Sequence, residues 1–169
     1  MERGRLSEVF TVLSRLVAER VVEGYALVGA VAAIFYAEAI RTFDLDVAVS
    51  LPAPRGAILS LAPLYDWLGS AGFAPDREHV RIHGVPVQFL ASDPPLWRDA
   101  VEQARRFDYD GVEVRVAPPE HLVLMALEAP SLRRRERAAL LLESGAVDRR
   151  ALATLAERFA IALPETWRA

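Results

Sequence analysis

Apolar positions in the first part of the chain follow a helical period. Leu6, Val9, Phe10, Leu13, Leu16, Val17 and Val21 recur at spacings of three and four, and Glu8, Arg15, Glu19 and Arg20 fill the opposite side. That spacing predicts an amphipathic helix over residues 6–22. The pattern then changes. Residues 25–28 are continuously apolar and read as a short strand, Gly29 permits a tight turn, and the nearly all-apolar run 30–39 reads as a helix covered on most sides. A second strand is expected over residues 44–50.

The breaker Pro52-Ala53-Pro54 precedes a helix that ends near Gly69, with Ile58, Leu61, Leu64, Tyr65 and Leu68 as its apolar positions. Residues 73–76 read as a loop or short strand. Two alternating segments, 80–82 and 85–90, flank His83-Gly84 and predict a hairpin, in which Pro86 must occupy an edge or an unpaired amide position. A helix is expected over 96–106 after Pro94-Pro95, then a second hairpin over 107–116 turned by Asp110-Gly111. Pro118 and Pro119 suit the first turn of a helix. Further helices are predicted over 122–129, 132–143 and 148–159. The outline is an α+β protein with an α/β-type core: a small mixed sheet flanked by helices over residues 1–117, and a C-terminal helical segment over 118–169 packed on it as one unit.

Composition narrows the class. At 169 residues the chain can bury a real core, and its net charge of −3 gives no global basic field of the kind carried by non-specific nucleic-acid binders. There is no cysteine, hence no disulfide framework and no thiolate metal site, which fits a reducing, cytoplasmic setting. No signal peptide is visible, and the longest apolar run, 25–40, is interrupted by Gly29 and Glu38, short of the roughly 20 residues of a membrane span. Every basic residue is arginine, so no lysine-dependent chemistry is available.

The chemistry concentrates at Asp44 and Asp46. Residues two apart in a strand project to one face, so the two carboxylates point together. Such a pair beside an apolar run (Val47, Ala48, Val49) costs stability unless a cation or an arginine offsets it. An isolated Asp-x-Asp can also be a solvated strand start. Here the preceding strand-Gly-helix turn and Arg41 favour a site for a divalent cation.

Val28-Gly29-Ala30, the helix after it, and Arg41-Thr42-Phe43-Asp44-Leu45-Asp46 together resemble the core signature of the nucleotidyltransferase fold superfamily, nearest to the small bacterial minimal and abortive-infection toxin-like members. His83-Gly84-Val85-Pro86-Val87-Gln88-Phe89-Leu90 is similar to the strand that bears a third carboxylate there, and residues 114–122 to the lead into the C-terminal helices. The resemblance covers about residues 25–145. It implies Mg2+ or Mn2+ held by Asp44 and Asp46 as catalytic and metal residues. It also implies a nucleoside triphosphate bound around Gly29, Ala30, Arg41 and Thr42, with Arg41 touching phosphate or pairing with the aspartates. The implied reaction is transfer of a nucleoside monophosphate to an RNA such as transfer RNA, or to a protein.

Departures from that pattern support a second reading. Gln88 stands at the third carboxylate, Ala30 where a hydroxyl or second glycine is usual, and Ala126 where relatives often place a lysine. Arg133, Arg134, Arg135 and Arg137 are either a replacement for that charge or a solvated helix face, and Glu113 or Asp93 are alternatives for the third carboxylate. The second reading is therefore an inactive nucleotidyltransferase-fold protein that binds or regulates a partner, as in a toxin-antitoxin pair. His79, His83 and His121 show no metal-ligand spacing, and turn, surface and helix-start roles are expected for them.

Overall fold

The computed structural model describes residues 3–37, 42, 44–52, 60–128 and 131–167. Among these, strands β1 (Gly24–Val28), β2 (Leu45–Ser50), β3 (Pro75–Asp76), β4 (His79–Ile82), β5 (Val85–Ala91), β6 (Arg105–Tyr109) and β7 (Val112–Val116) form one mixed sheet in the order β3-β4-β5-β2-β1-β7-β6. Helices α1 (Arg3–Ala18), α2 (Gly29–Ile34), α3 (Ala62–Ser70) and α4 (Pro95–Glu102) interleave with the strands. Helices α5 (Pro119–Glu128), α6 (Leu132–Glu143) and α7 (Arg149–Arg158) follow them. The α+β class expected from the hydrophobic pattern is the class observed.

The central strands explain their own composition. β2 runs antiparallel to β1 and parallel to β5 inside the sheet, α2 and α4 pack against it, and its Val47, Ala48 and Val49 are fully buried. Tyr25, Leu27, Val47, Val49 and Phe89 share one face by register. Tyr25 hydrogen-bonds Ser14 of α1 there, and Phe89 meets Tyr65 of α3 edge-on with ring centroids 6.4 Å apart. The opposite face presents Gly24, Ala26 and Ala48. These small residues let α4 lie close: a Cβ on Gly24 would stand 3.3 Å from a Val101 methyl. Burying a valine or leucine side chain completely contributes about 1.5–3 kcal/mol, so this double coverage fixes the position of β2.

Both hairpins form at their predicted turns. His83 and Gly84, and again Asp110 and Gly111, have positive φ at successive residues, the backbone that matches strand twist in two-residue turns. β5 is an interior strand, yet its pairing with β2 begins at Val87, one residue after Pro86, so no β2 hydrogen bond is lost to the proline.

Three predicted helices are shorter than the pattern suggested. α1 stops at Ala18: Arg20 turns left-handed, and the amides of Val21 and Val22 both fold back onto the Leu16 carbonyl. α2 has six residues, because Phe35 and Tyr36 leave it to pack on Phe107 of β6, at 5.2 and 5.5 Å between ring centroids. α4 ends at Glu102, and Arg105 and Arg106, expected in that helix, instead pair with Val116 and Arg115 of β7. The start of the helix expected after Pro54 falls on residues 53–59, outside the described ones.

The last three helices are joined to the sheet layer by buried polar contacts. Asp99 of α4 accepts a hydrogen bond from His121 of α5 at 2.7 Å and faces Arg158 of α7 at 3.0 Å. Glu120 of α5 accepts the Asp148 amide at 2.8 Å, just before α7, while Asp148 itself caps that helix through the amides of Arg150 and Ala151. Asp99, Glu120 and His121 are all buried. α6 is capped by the Ser131 hydroxyl, which accepts the Arg134 amide, and it packs against α5 and α2.

Candidate functional site

The antiparallel pairing of β1 with β2 brings the end of β1 beside the start of β2, with Val28 opposite Asp46. The chain then leaves β1 through Gly29 at a φ of +68°, a conformation that L side chains rarely adopt. A second constraint falls on the same glycine. A Cβ there would run into the Asp46 carboxylate, with the Asp46 Cγ only 3.0 Å away. Gly29 therefore provides the turn and also the space into which Asp46 projects.

Asp44 lies one residue before β2. Its Oδ1 accepts a hydrogen bond of 2.9 Å from the Thr42 hydroxyl, which holds that carboxylate in place. Burial pushes the Asp46 carboxyl above the usual carboxylate range, and the like charge of Asp44 adds to the shift. Arg137, Arg134 and His79 oppose it. Arg137, on α6, is partly buried; its Nε has no hydrogen-bond partner among the described residues, burial lowers its pKa, and the field of Asp46 and Asp44 works against that lowering. Of the α6 arginines, Arg134 and Arg137 thus act on Asp46; Arg133, Arg134 and Arg135 are all exposed, and Arg137 alone of the four is partly buried.

The structure brings Gly29, Thr42, Asp44 and Asp46 together, with Ala30 buried behind the turn. Arg41 lies outside the described residues. Gln88 is the direct neighbour of Asp46 across β2 and β5, so the neutral residue occupies the third position of the same row. Neither alternative carboxylate comes near. Asp93 follows the far end of β5 and pairs with Arg98. Glu113 is on β7, beyond β1, where it pairs with Arg106 and Arg115. Ala126 is buried in α5.

One neighbour was invisible to spacing. His79 opens β4, and its Nε2 is buried, lacks a hydrogen-bond partner among the described residues and stands 3.8 Å from Asp44 Oδ2. Only the hairpin geometry across β5 brings it there. A signal was available in the hairpin register, which, continued one pair past Val80 and Val87, sets His79 opposite Gln88.

Among the described residues, no three or more His, Asp or Glu side chains converge as a ready-made metal cage. The donor set nonetheless fits a divalent cation that shares its coordination with a substrate. Two carboxylates lie beside a turn without side chain, and Mg2+ is commonly held by one or two carboxylates with phosphate oxygens and water completing the sphere. The site lies at one end of the sheet. Two clefts lie elsewhere, one of about 320 Å3 at the opposite ends of β2 and β5 and one of about 540 Å3 along α7.

No protein-family model matches the chain, and no curated protein matches it in sequence. Solved structures do. An antigenic nucleotidyltransferase-like protein from Paracoccidioides brasiliensis superposes with a TM-score of 0.59 at 16% identity, covering 94% of this chain and 90% of that one. The antibiotic-resistance factor ANT(2'')-Ia superposes in its solution structure with a TM-score of 0.55 at 14% identity, covering 94% of this chain and 93% of that one. In its crystal structure with adenylyl-2''-tobramycin the TM-score is 0.58 at 14% identity, covering 92% and 97%. No described helix is long and apolar enough to cross a membrane. These superpositions over nearly the whole chain show the nucleotidyltransferase-like fold.

Proposed function

We propose that this protein transfers a nucleoside monophosphate from a nucleoside triphosphate to an acceptor hydroxyl. The observation that carries the reading is the juxtaposition of Asp44 and Asp46, the Gly29 turn and the Arg137 guanidinium at one end of the sheet. Asp44 and Asp46 would hold Mg2+ or Mn2+. Such a cation, when bound, neutralises charge on the transferring phosphoryl group. Gly29, without a side chain, leaves room for the triphosphate beside Asp46, and Ala30 forms the floor behind it. Thr42 fixes Asp44. Arg137 and Arg134 offer positive charge where the phosphates would lie, a role that Ala126, buried in α5, cannot fill. The acceptor oxygen bonds to the α-phosphorus, pyrophosphate leaves, and the hydroxyl proton passes to solvent.

A second reading rests on Gln88. Beside Asp46, where a third carboxylate would complete the row, its amide is neutral and a weak ligand for Mg2+. On this reading the fold keeps cation and nucleotide binding, loses turnover, and serves a regulatory partner. One experiment separates the two. Each labelled triphosphate is incubated with the protein, Mg2+ or Mn2+, and a panel of acceptors: transfer RNA, host protein and tobramycin, the last because one structural neighbour holds its adenylylated form. Label transferred by the native protein and not by Asp44→Ala establishes the enzyme. Triphosphate binding without transfer to any acceptor supports the binding protein. Absence of triphosphate binding with either metal ends both.

A further inference from the structure

We propose that His79 Nε2 and Asp44 Oδ2 form a two-point seat for a first-row transition cation, and that this seat makes the site favour Mn2+ over Mg2+. The inference rests on the reading of Asp44 as a cation ligand and adds a residue that the sequence pattern does not contain.

The first support is distance. At 3.8 Å the two atoms are too far apart for a hydrogen bond. Two donors on one cation, each about 2.1 Å from it, stand roughly 3–4 Å apart. The second is the state of Nε2, which is buried and has no hydrogen-bond partner among the described residues, a condition rare for a polar atom and costly to maintain. The third is the far side of the ring. Glu78 Oε1 lies 3.8 Å from Nδ1, beyond hydrogen-bond reach but on the side where a carboxylate moving closer would orient a metal-binding imidazole with Nε2 free to ligate.

The chemistry of the donors then sets the preference. Magnesium selects hard oxygen ligands, whereas imidazole nitrogen suits first-row transition ions. Beside Gln88, where a third oxygen anion would favour magnesium, the next strand supplies a nitrogen. Since His79, Asp44 and Asp46 do not close on one point, the remaining coordination positions belong to water and to phosphate oxygens of the substrate.

The test uses the full chain with Mn2+ alone and with Mn2+ plus tripolyphosphate, which brings phosphate oxygens but no nitrogen. Electron paramagnetic resonance counts bound Mn2+, and electron spin-echo modulation detects a directly coordinated nitrogen. The expected result is a nitrogen signal in the native protein that disappears in His79→Gln. Mn2+ affinity in that variant falls roughly tenfold or more, at least the loss typical of removing an outer-shell partner, while Mg2+ affinity, read by competition, changes little. His79→Asp provides a second arm: it loses the nitrogen signal, keeps Mn2+, and gains in Mg2+ affinity. Bound Mn2+ that Asp44→Asn removes, but that shows no nitrogen signal or is indifferent to His79→Gln, overturns this inference and leaves the cation reading of Asp44 intact. Failure of the native protein to bind either cation, with or without tripolyphosphate, overturns both.

Discussion

Replacing Gly29 with alanine tests the packing of the site most directly, because the structure assigns two separable costs to the added methyl. At a φ of +68°, alanine in left-handed backbone costs about 1–2 kcal/mol. The methyl would also occupy the place of the Asp46 carboxylate, and forcing that side chain off its rotamer adds about 1 kcal/mol. The sum, roughly 2–3 kcal/mol, corresponds to a fall in melting temperature of roughly 4–12 °C for a chain of this size. Gly111→Ala is the control: its φ is +80°, but a Cβ there meets nothing within 4 Å, so only the backbone cost applies. The assay is a double-mutant cycle by urea unfolding. In an Asp46→Ala background the carboxylate is gone and only the Cβ, 3.1 Å away, remains, so Gly29→Ala should become about 1 kcal/mol less costly than in the native background. Equal costs in both backgrounds, within about 0.3 kcal/mol, refute the claim that Gly29 is kept free of side chain for Asp46.

Other expectations follow from the charges. Asp46→Asn should stabilise the fold at neutral pH, because the carboxyl is raised from its ordinary 3.8 chiefly by burial and secondarily by Asp44. Each unit of the raise is worth about 1.4 kcal/mol. The penalty on ionised Asp46 grows as pH climbs from 3.8 through the raised native value, so the advantage of asparagine in urea unfolding should shrink as pH is lowered toward 4. His121 carries the opposite sign: burial lowers it below 6.5 despite the hydrogen bond to Asp99, so its contribution is complete above 6.5 and lost as pH falls through the depressed native value. His121→Gln should flatten the acid limb of the stability curve. Asp99→Ala should cost about 1–3 kcal/mol, chiefly because it leaves the buried His121 nitrogen without its partner, Arg158 being largely exposed, and a loss under about 0.5 kcal/mol would count against that contact. Gln88→Asp should lower stability without metal by about 1 kcal/mol, by placing a third like charge beside Asp46, and should raise cation affinity, both measurable by unfolding with and without Mg2+.

What the sequence revealed follows from how local each feature is. Gly29, Asp44 and Asp46 lie within one strand-turn-strand passage, and the hairpins at His83-Gly84 and Asp110-Gly111 carry their own turn chemistry, so all were legible from spacing. The end of α2 was not. Its run is apolar on every side, and what stops it is the attraction of Phe35 and Tyr36 to Phe107, far along the chain. Arg105 and Arg106 continued a helical composition, but pairing with β7 overrode that local preference. The grouping of Asp99 with His121 and Arg158, and of His79 with Asp44, joins residues on different elements that periodicity cannot relate. Likewise, four arginines of α6 looked equivalent in sequence, and only the packing of that helix singles out Arg134 and Arg137.

The position of Arg137 also bears on the order in which the molecule can be completed. Synthesis proceeds from the amino terminus, and folding tends to follow it. Asp44 and Asp46 therefore emerge long before the guanidinium that offsets them, and until α6 emerges the growing chain holds two like charges at the mouth of its central strand with only Arg41 in the neighbouring sequence to temper them. The helix made late supplies the positive charge, so the site reaches its final electrostatic state only when the C-terminal helices have docked. On the proposed function, triphosphate would meet the complete charge of the site only after α6 has left the ribosome.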